Sequence, residues 1–449
     1  MATAAPGATS RLDEGWSRVE AGRYAEAIAG LTPVAEATEA QAEMSAVRRL
    51  ARNLQALREY RPAVYGRLEA AGVSALARQV PRTQTLSGKS VPAQRSTASP
   101  GPLAVSRNPD PEAAARRAVQ RLAKHIERGR PIVFGDLIDG YLVSQIAAAK
   151  PTLPRGEQQP VYLVETDPGL VVACLMIHDW AGADGPIRDE RFVWRVGPKA
   201  YVRLEALLRR DRTHRLPSIR LGRAAQRSAL AELIKRCERA NAAAEARWAR
   251  RIETHYWGFD CGALTVGKAR RPKALLLASR FSAAGAEALD DCEAAFARLG
   301  WRTQRLTERT AAQRVTGAAV RRVMATFQPD LVFGMGLPRE AWSGVLPGGV
   351  PYLGWDQGRG GGSVAWARGD RDFVVWPVGS GRGSAGGGRR IEVPALVKLP
   401  ASARRESPRG GARGPQPWTH TAALRLALNR VGRSLLEDVG RGRAAGSAA

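Results

Sequence analysis

The sequence predicts an α/β protein with two successive Rossmann-like parallel-sheet domains, a helical cap in front of them and a poorly ordered Gly/Arg-rich tail behind. Two observations carry this. Short apolar runs alternate with helical patterns over residues 131–200, and the same alternation returns over residues 272–357. Strands separated by helices imply βαβ units and a parallel sheet. A third observation sets a bound: the longest near-continuous apolar stretch, residues 170–177, is far short of the ~18–20 residues of a membrane span.

Residues 1–80 read as helices. Leu12, Trp16 and Val19, then Tyr24, Ala27, Ile28 and Leu31, recur at helical spacing. Gly22, Tyr24, Ala27 and Leu31 match the middle of a tetratricopeptide (TPR) repeat, but residues 56–65 hold no second frame, so a single TPR-like cap is expected. Residues 81–112, rich in Pro, Ser, Thr, Gln and Gly, are expected to be a disordered linker. Asp110-Pro111-Glu112 opens a helix over 111–129, with Pro in the first turn and acids beside it.

The first domain, 113–258, contains predicted strands at 131–135, 161–165 and 191–196. Its helices are expected at 142–149, 170–177, 201–210 and 224–253, the last long and amphipathic. The second domain, 259–357, has predicted strands at 273–278, 303–307, 330–333 and 351–354, with helices at 284–299 and 310–327. Residues 358–449 lose the pattern, leaving strands at 372–378 and 391–397 and one helix at 419–436.

The formal net charge is +27, and only eight of the 69 basic residues are lysines. The excess is spread along the chain. Clustered arginine suggests a polyanion-binding surface, whereas an Arg-rich bias over solvated faces needs no ligand. The densest basic run, residues 203–223, has no interleaved aromatic, and Arg409-Gly410-Gly411 is a single copy, so at most weak polyanion binding is expected. Cys174, Cys237, Cys261 and Cys292 lie too far apart for a disulfide scaffold or a metal knuckle. No signal peptide is readable at the N-terminus, and the expectation is a reduced, cytoplasmic chain.

In a doubly wound sheet, ligands bind at the carboxyl ends of the strands. The first strand–helix turn reads Gly135-Asp136-Leu137-Ile138-Asp139-Gly140, Glu165 and Asp167 follow the second strand, and His178-Asp179-Trp180 ends the next segment. Gly135 and Gly140 would let a backbone approach a ligand, and the five acids would crowd one sheet edge, facing a ribose or a cation, as in an S-adenosylmethionine-type pocket. The glycine spacing lacks a G-x-G core, and the alternative is that these residues are turn and cap residues.

Further along stand Ser279-Arg280-Phe281 after an apolar run, Asp290-Asp291 in a helix that closes on Leu299-Gly300-Trp301, Pro329-Asp330-Leu331-Val332, and Pro351-Tyr352-Leu353-Gly354-Trp355-Asp356-Gln357. In that order these motifs resemble the N-terminal half of spore-maturation (CgeB-type) glycosyltransferase-like proteins over about 86 residues. The resemblance implies a GT-B-like architecture and transfer of a sugar from a nucleotide-sugar co-substrate to a protein or cell-surface glycan acceptor, with no obligatory cofactor or metal. It implies a ligand-facing role for Ser279, Arg280, Phe281, Glu308, Asp330, Gly334, Trp355 and Gln357, with Asp356 as the catalytic carboxylate, acting as base. A donor lobe needs about 150 further residues in regular βα units, more than residues 358–449 supply. The chain is therefore expected to have a truncated donor lobe or to be a non-catalytic relative. An S-adenosylmethionine-type binder and a non-catalytic scaffold are the competing expectations.

Overall fold

The computed structural model describes residues 8–31, 39–79, 82–84, 90–95, 102–104, 109–151, 153, 156–259, 271–281, 285–355, 372–377, 389–393, 427 and 429. The protein is mixed α/β, and the chain divides into two compact units, Met1–Ala240 with Thr310–Gln313, and Asn241–Arg309 with Arg314–Ala449.

The first unit opens with α1 (Ala8–Glu20), α2 (Tyr24–Gly30), α3 (Glu39–Tyr60), α4 (Pro62–Ala70) and α5 (Val73–Gln79). Next come β1 (Arg82–Gln84), β2 (Ser90–Arg95) and β3 (Pro102–Ala104), paired antiparallel in that order. The stretch expected to be a bare linker thus holds a small sheet, because strands this short leave no period to read. Then follow α6 (Pro111–Glu127), β4 (Ile132–Phe134), α7 (Tyr141–Ala148), β5 (Val161–Glu165), α8 (Pro168–Ile177), β6 (Phe192–Val196), α9 (Ala200–Arg210), β7 (Ile219–Leu221) and α10 (Ala224–Tyr256). The four strands form an all-parallel sheet in the order β6-β5-β4-β7.

Alternation along these strands divides the side chains between two faces. Ile132, Phe134, Leu163, Phe192, Trp194 and Val196 join a cluster with α7, α8 and the N-terminal helices. Val133, Tyr162 and Val164 join one with α9 and the first turns of α10. The N-terminal helices pack in the same core as the sheet. Trp16, Tyr24, Leu50, Leu54 and Leu68 share a single buried cluster with the sheet.

The centre of that cluster is α8. Every residue from Gly169 to Met176 is buried, so the helix has no polar face. Asp167 caps its start by accepting from the Gly169 amide at 2.8 Å. Its last carbonyls are met by α3: Asn53, fully buried, donates its amide Nδ2 to Leu175 O and His178 O, each at 2.7 Å, and Arg49 donates to Met176 O at 2.8 Å. Arg61, just past α3, donates to Ile187 O and Asp189 O. Arg191 is buried, ion-pairs with Asp189 at 2.7 Å and donates to Ala147 O and Ala149 O at the end of α7.

The second unit contains the rest of α10, then β8 (Lys273–Ala278), α11 (Gly285–Arg298), β9 (Arg302–Leu306), α12 (Gly317–Phe327), β10 (Leu331–Met335), a 3-10 turn (Arg339–Trp342) and β11 (Tyr352–Trp355). Two further strands, β12 (Asp372–Pro377) and β13 (Arg389–Val393), continue the same sheet, whose order is β13-β12-β11-β10-β8-β9 with every pairing parallel. The domain expected to end at 357 therefore extends into the segment read as tail. Of the helix expected at 419–436, residues 427 and 429 are described, both helical. Leu276, Phe333, Leu353 and Phe373 pack against Leu289, Cys292 and Phe296 of α11, and Leu275, Leu277, Val332 and Tyr352 pack against Val320 and Met324 of α12. Among the described residues, no helix is long and apolar enough to cross a membrane.

Replacing Asn53 by Leu leaves Leu175 O in α8 and His178 O just past it without that donor in a dry interior. The expected loss is about 1–3 kcal/mol, read by urea unfolding. A variant as stable as the parent would show that the bonds from α3 do not hold α8.

Candidate functional site

Each parallel sheet has one place where the strand order reverses, and there the loops leave the carboxyl ends to opposite sides and open a crevice. In the first sheet it lies between β4 and β7, and in the second between β8 and β10.

At the first, Gly135 and Asp136 leave β4 while Gly222 and Arg223 leave β7. Asp136 is 2% exposed. Its Oδ2 accepts from the Arg223 amide at 3.2 Å and from Arg223 Nε at 2.8 Å. Arg223 directly precedes α10, so this carboxylate sits at the positive end of a 33-residue helix and takes the place an anionic ligand would take. Its Oδ1 has no hydrogen-bond partner among the described residues. Tyr201 on α9 donates to Gly135 O at 2.9 Å.

Glu165, 4% exposed, ends β5. Its Oε2 accepts from the Leu137 amide at 3.0 Å and its Oε1 from the Asp167 amide at 2.9 Å, so it pins the 135–140 loop to the next turn. Burial pushes its carboxyl from the ordinary 4.5 up to about 7, against the pull of the two amides. Asp139 accepts from the Tyr141 amide at the start of α7, and its carbonyl oxygen lies 2.6 Å from His178 Nε2. Gly140 has φ +79°, and a Cβ there would lie within 2.9 Å of the His178 and Trp180 rings, so a glycine is required on both counts.

The structure thus brings Asp136, Asp139, Glu165 and Asp167 to one edge, as the sequence suggested, and engages each with the protein's own amides. Asp179 lies elsewhere, on the surface, paired with Arg52 of α3 at 2.9 Å. The hydrogen bonds of these acids match the turn and cap alternative.

At the second reversal, Ser279, Arg280 and Phe281 leave β8, all partly exposed. Glu308, buried just past β9, holds this loop: its Oε2 accepts from the Arg280 amide at 2.9 Å and its Oε1 from the Val315 amide at 3.1 Å. Ser279 Oγ accepts from the Phe281 amide at 3.3 Å. The Arg280 guanidinium reaches Arg309 O at 2.8 Å and lies over the Phe281 ring. Across the crevice Gly336, exposed and with φ +63°, leaves β10.

Three residues assigned to ligand contact by the resemblance are placed elsewhere. Asp330 sits at the amino end of the sheet, where its Oδ2 accepts from the Lys273 amide at 2.9 Å. Gly334 lies inside β10, and a Cβ there would fall 1.8 Å from the Tyr352 hydroxyl, which donates to Leu337 O; its role is to admit that side chain. Trp355 is 4% exposed and packs edge-on against Phe333 at 6.0 Å, within the core. Asp356 and Gln357 lie outside the described residues. Sequence reasoning missed Arg223, Tyr201 and Gly336. A glycine two residues past an apolar run was the available signal for Gly336, whereas β7, only three residues long, gave none for Arg223. Among the described residues no group of His, Cys, Asp and Glu is placed to hold a metal ion.

No protein-family model, no curated protein and no solved structure matches the chain.

Three buried groups give opposing pH dependences. Glu165, raised to about 7, binds its proton more readily folded than unfolded; its contribution is present below pH 4.5 and is lost as pH rises through about 7. Burial lowers His178 and His214 from 6.5 to about 4, so each contributes stability above pH 6.5 that is lost as pH falls through about 4. Two histidines outweigh one carboxylate of similar shift, so stability falls on acidification from pH 6.5 to 4. Glu165→Gln removes the opposing contribution, and its stability, measured by urea unfolding across this range, should fall more steeply than the parent's. Parallel profiles would refute the assignment of Glu165.

Proposed function

We propose that this chain is a glycosyltransferase-like protein that takes the nucleoside-diphosphate part of a nucleotide-sugar at the crevice between β8 and β10. The observation that carries this reading is the coincidence of two independent features. The parallel order of the second sheet puts its reversal at the carboxyl end of β8, and the loop at that point is Ser279-Arg280-Phe281, one of the motifs behind the glycosyltransferase resemblance. Glu308 fixes the loop through backbone amides, which leaves the Arg280 side chain on a held backbone, where a cationic fork suits a diphosphate. Gly336 on the facing strand end lets a ligand approach the backbone.

In this reading Arg280 binds the diphosphate and stabilises the negative charge that builds on it as the glycosidic bond breaks, and Asp356 takes the proton of the acceptor hydroxyl. The sugar passes to a protein or cell-surface glycan, and no metal is required. Should Asp356 fail to reach the acceptor, the crevice would serve binding alone, and the chain would be a non-catalytic relative. The S-adenosylmethionine-type reading of the first sheet has less support, because Asp136 and Glu165 are already engaged internally.

Calorimetric titration with UDP, GDP and their glucose and mannose conjugates tests the reading. At least one is expected to bind, and Arg280→Ala should weaken it by about tenfold or more while leaving the melting temperature within a degree or two. Absence of binding by all of them at millimolar concentration would overturn it. Asp356→Asn should abolish release of nucleoside diphosphate while retaining affinity, which separates catalysis from binding.

A further inference from the structure

The last turns of α10 carry a surface that nothing above uses. From Asn241 onward this helix belongs to the second unit. At about 3.6 residues per turn, Arg250 and Trp257 fall on nearly the same line of the helix surface, about 10 Å apart. Arg247 lies beside that line and Arg251 at its flank, and all four side chains are exposed. Ala243 and Ala246, also exposed, continue the line with nothing larger than a methyl group. Trp257 prolongs the helical turn, its amide donating to Glu253 O at 2.9 Å, and Gly258, with φ +68°, ends it. The Trp257 side chain is 83% exposed, more than any other large hydrophobic among the described residues, where its ring meets neither a second ring nor a cation. Arg247, Arg250 and Arg251 likewise have no carboxylate or carbonyl partner there. Other arginines of the unit do: Arg321 pairs with Glu245 at 3.1 Å, and Arg305 with Asp290. That leaves three guanidiniums against one exposed carboxylate on this face, Glu253.

Like charges three and four residues apart on a helix repel, so this grouping does not serve the helix itself. Solvation alone accounts for bare guanidiniums, but not for an indole left in water beside them. A flat aromatic face flanked by unneutralised arginines on a rigid element suits one chemistry in particular, an unpaired nucleotide strand. A base stacks on the ring while the neighbouring phosphates accept from the guanidinium forks. A duplex keeps its base faces covered and offers the indole nothing.

We propose that the exposed face of α10 over residues 247–257 binds single-stranded nucleic acid. Trp257 stacks on one base, and Arg247, Arg250 and Arg251 meet the phosphates next to it. The surface is distinct from the crevice between β8 and β10 and does not depend on the nucleotide-sugar reading of that crevice.

The test is fluorescence anisotropy of the full chain with a labelled oligothymidylate, a strand of the same length carrying abasic sites, and a duplex, each over a series of salt concentrations. Oligothymidylate is expected to bind at low salt and to be released as salt rises. Trp257→Ala should weaken it by about tenfold and leave the salt dependence as it was, because stacking releases no counterions. Arg247→Gln and Arg250→Gln should each lower the slope of log affinity against log salt by about 0.7. The abasic strand should bind the parent about as weakly as oligothymidylate binds Trp257→Ala. All three side chains are exposed, so the variants should melt with the parent, which separates lost binding from lost folding. No binding at low salt, unchanged affinity in Trp257→Ala, or a duplex bound as tightly as the single strand would overturn the proposal. So would capture by phosphatidylglycerol vesicles that needs Trp257 when oligothymidylate binding does not, which would assign the face to an anionic membrane.

Discussion

A helix without a polar face has to be enclosed on all sides, and its terminal carbonyls must then find donors other than water. α8 sets both conditions for the first unit. The sheet covers one side, and the N-terminal helices are needed to cover the other. Asn53 and Arg49 extend from α3 to the very carbonyls that burial would leave bare. The packing of α3 thus follows from the composition of residues 170–177, and with it the merger of the N-terminal helices and the parallel sheet into one core.

The same logic bears on the arginine excess. Arg49, Arg61, Arg191 and Arg215 all donate to main-chain carbonyls, several of them at helix ends. A guanidinium carries five donors in a rigid fork and so can close several such carbonyls at once, which lysine does less well. Part of the charge counted in the sequence is therefore structural. Neither a solvated-surface bias nor a polyanion stripe describes these residues.

Elements with strong local signals were legible. β5 and β8 fall on the residues expected, because short apolar runs that directly follow a proline leave little choice. Where a tertiary partner decides, the pattern misled. The helix expected from residue 310 starts at Gly317 with Thr316 as its cap, because residues 310–313 are docked in the first unit: the Ala311 amide donates to Glu190 and Gln313 donates to Asp211. The candidate-site residues divide the same way. Ser279, Arg280 and Phe281 were placed by the strand that precedes them. Asp330, Gly334 and Trp355 were not, because strand membership says nothing about which end or which face a residue occupies. The acids of the first sheet edge were located well, and of the two roles the sequence left open, the turn and cap role is the one their hydrogen bonds to backbone amides match.

The short insert at 310–313 bears on how the protein can be divided. A fragment cut at the end of the long helix would contain every strand of the first sheet and still be incomplete, for the carboxylates of Glu190 and Asp211 would lose the amide groups that meet them. The first unit thus takes in a tetrapeptide that the chain reaches only some seventy residues after the rest of that unit.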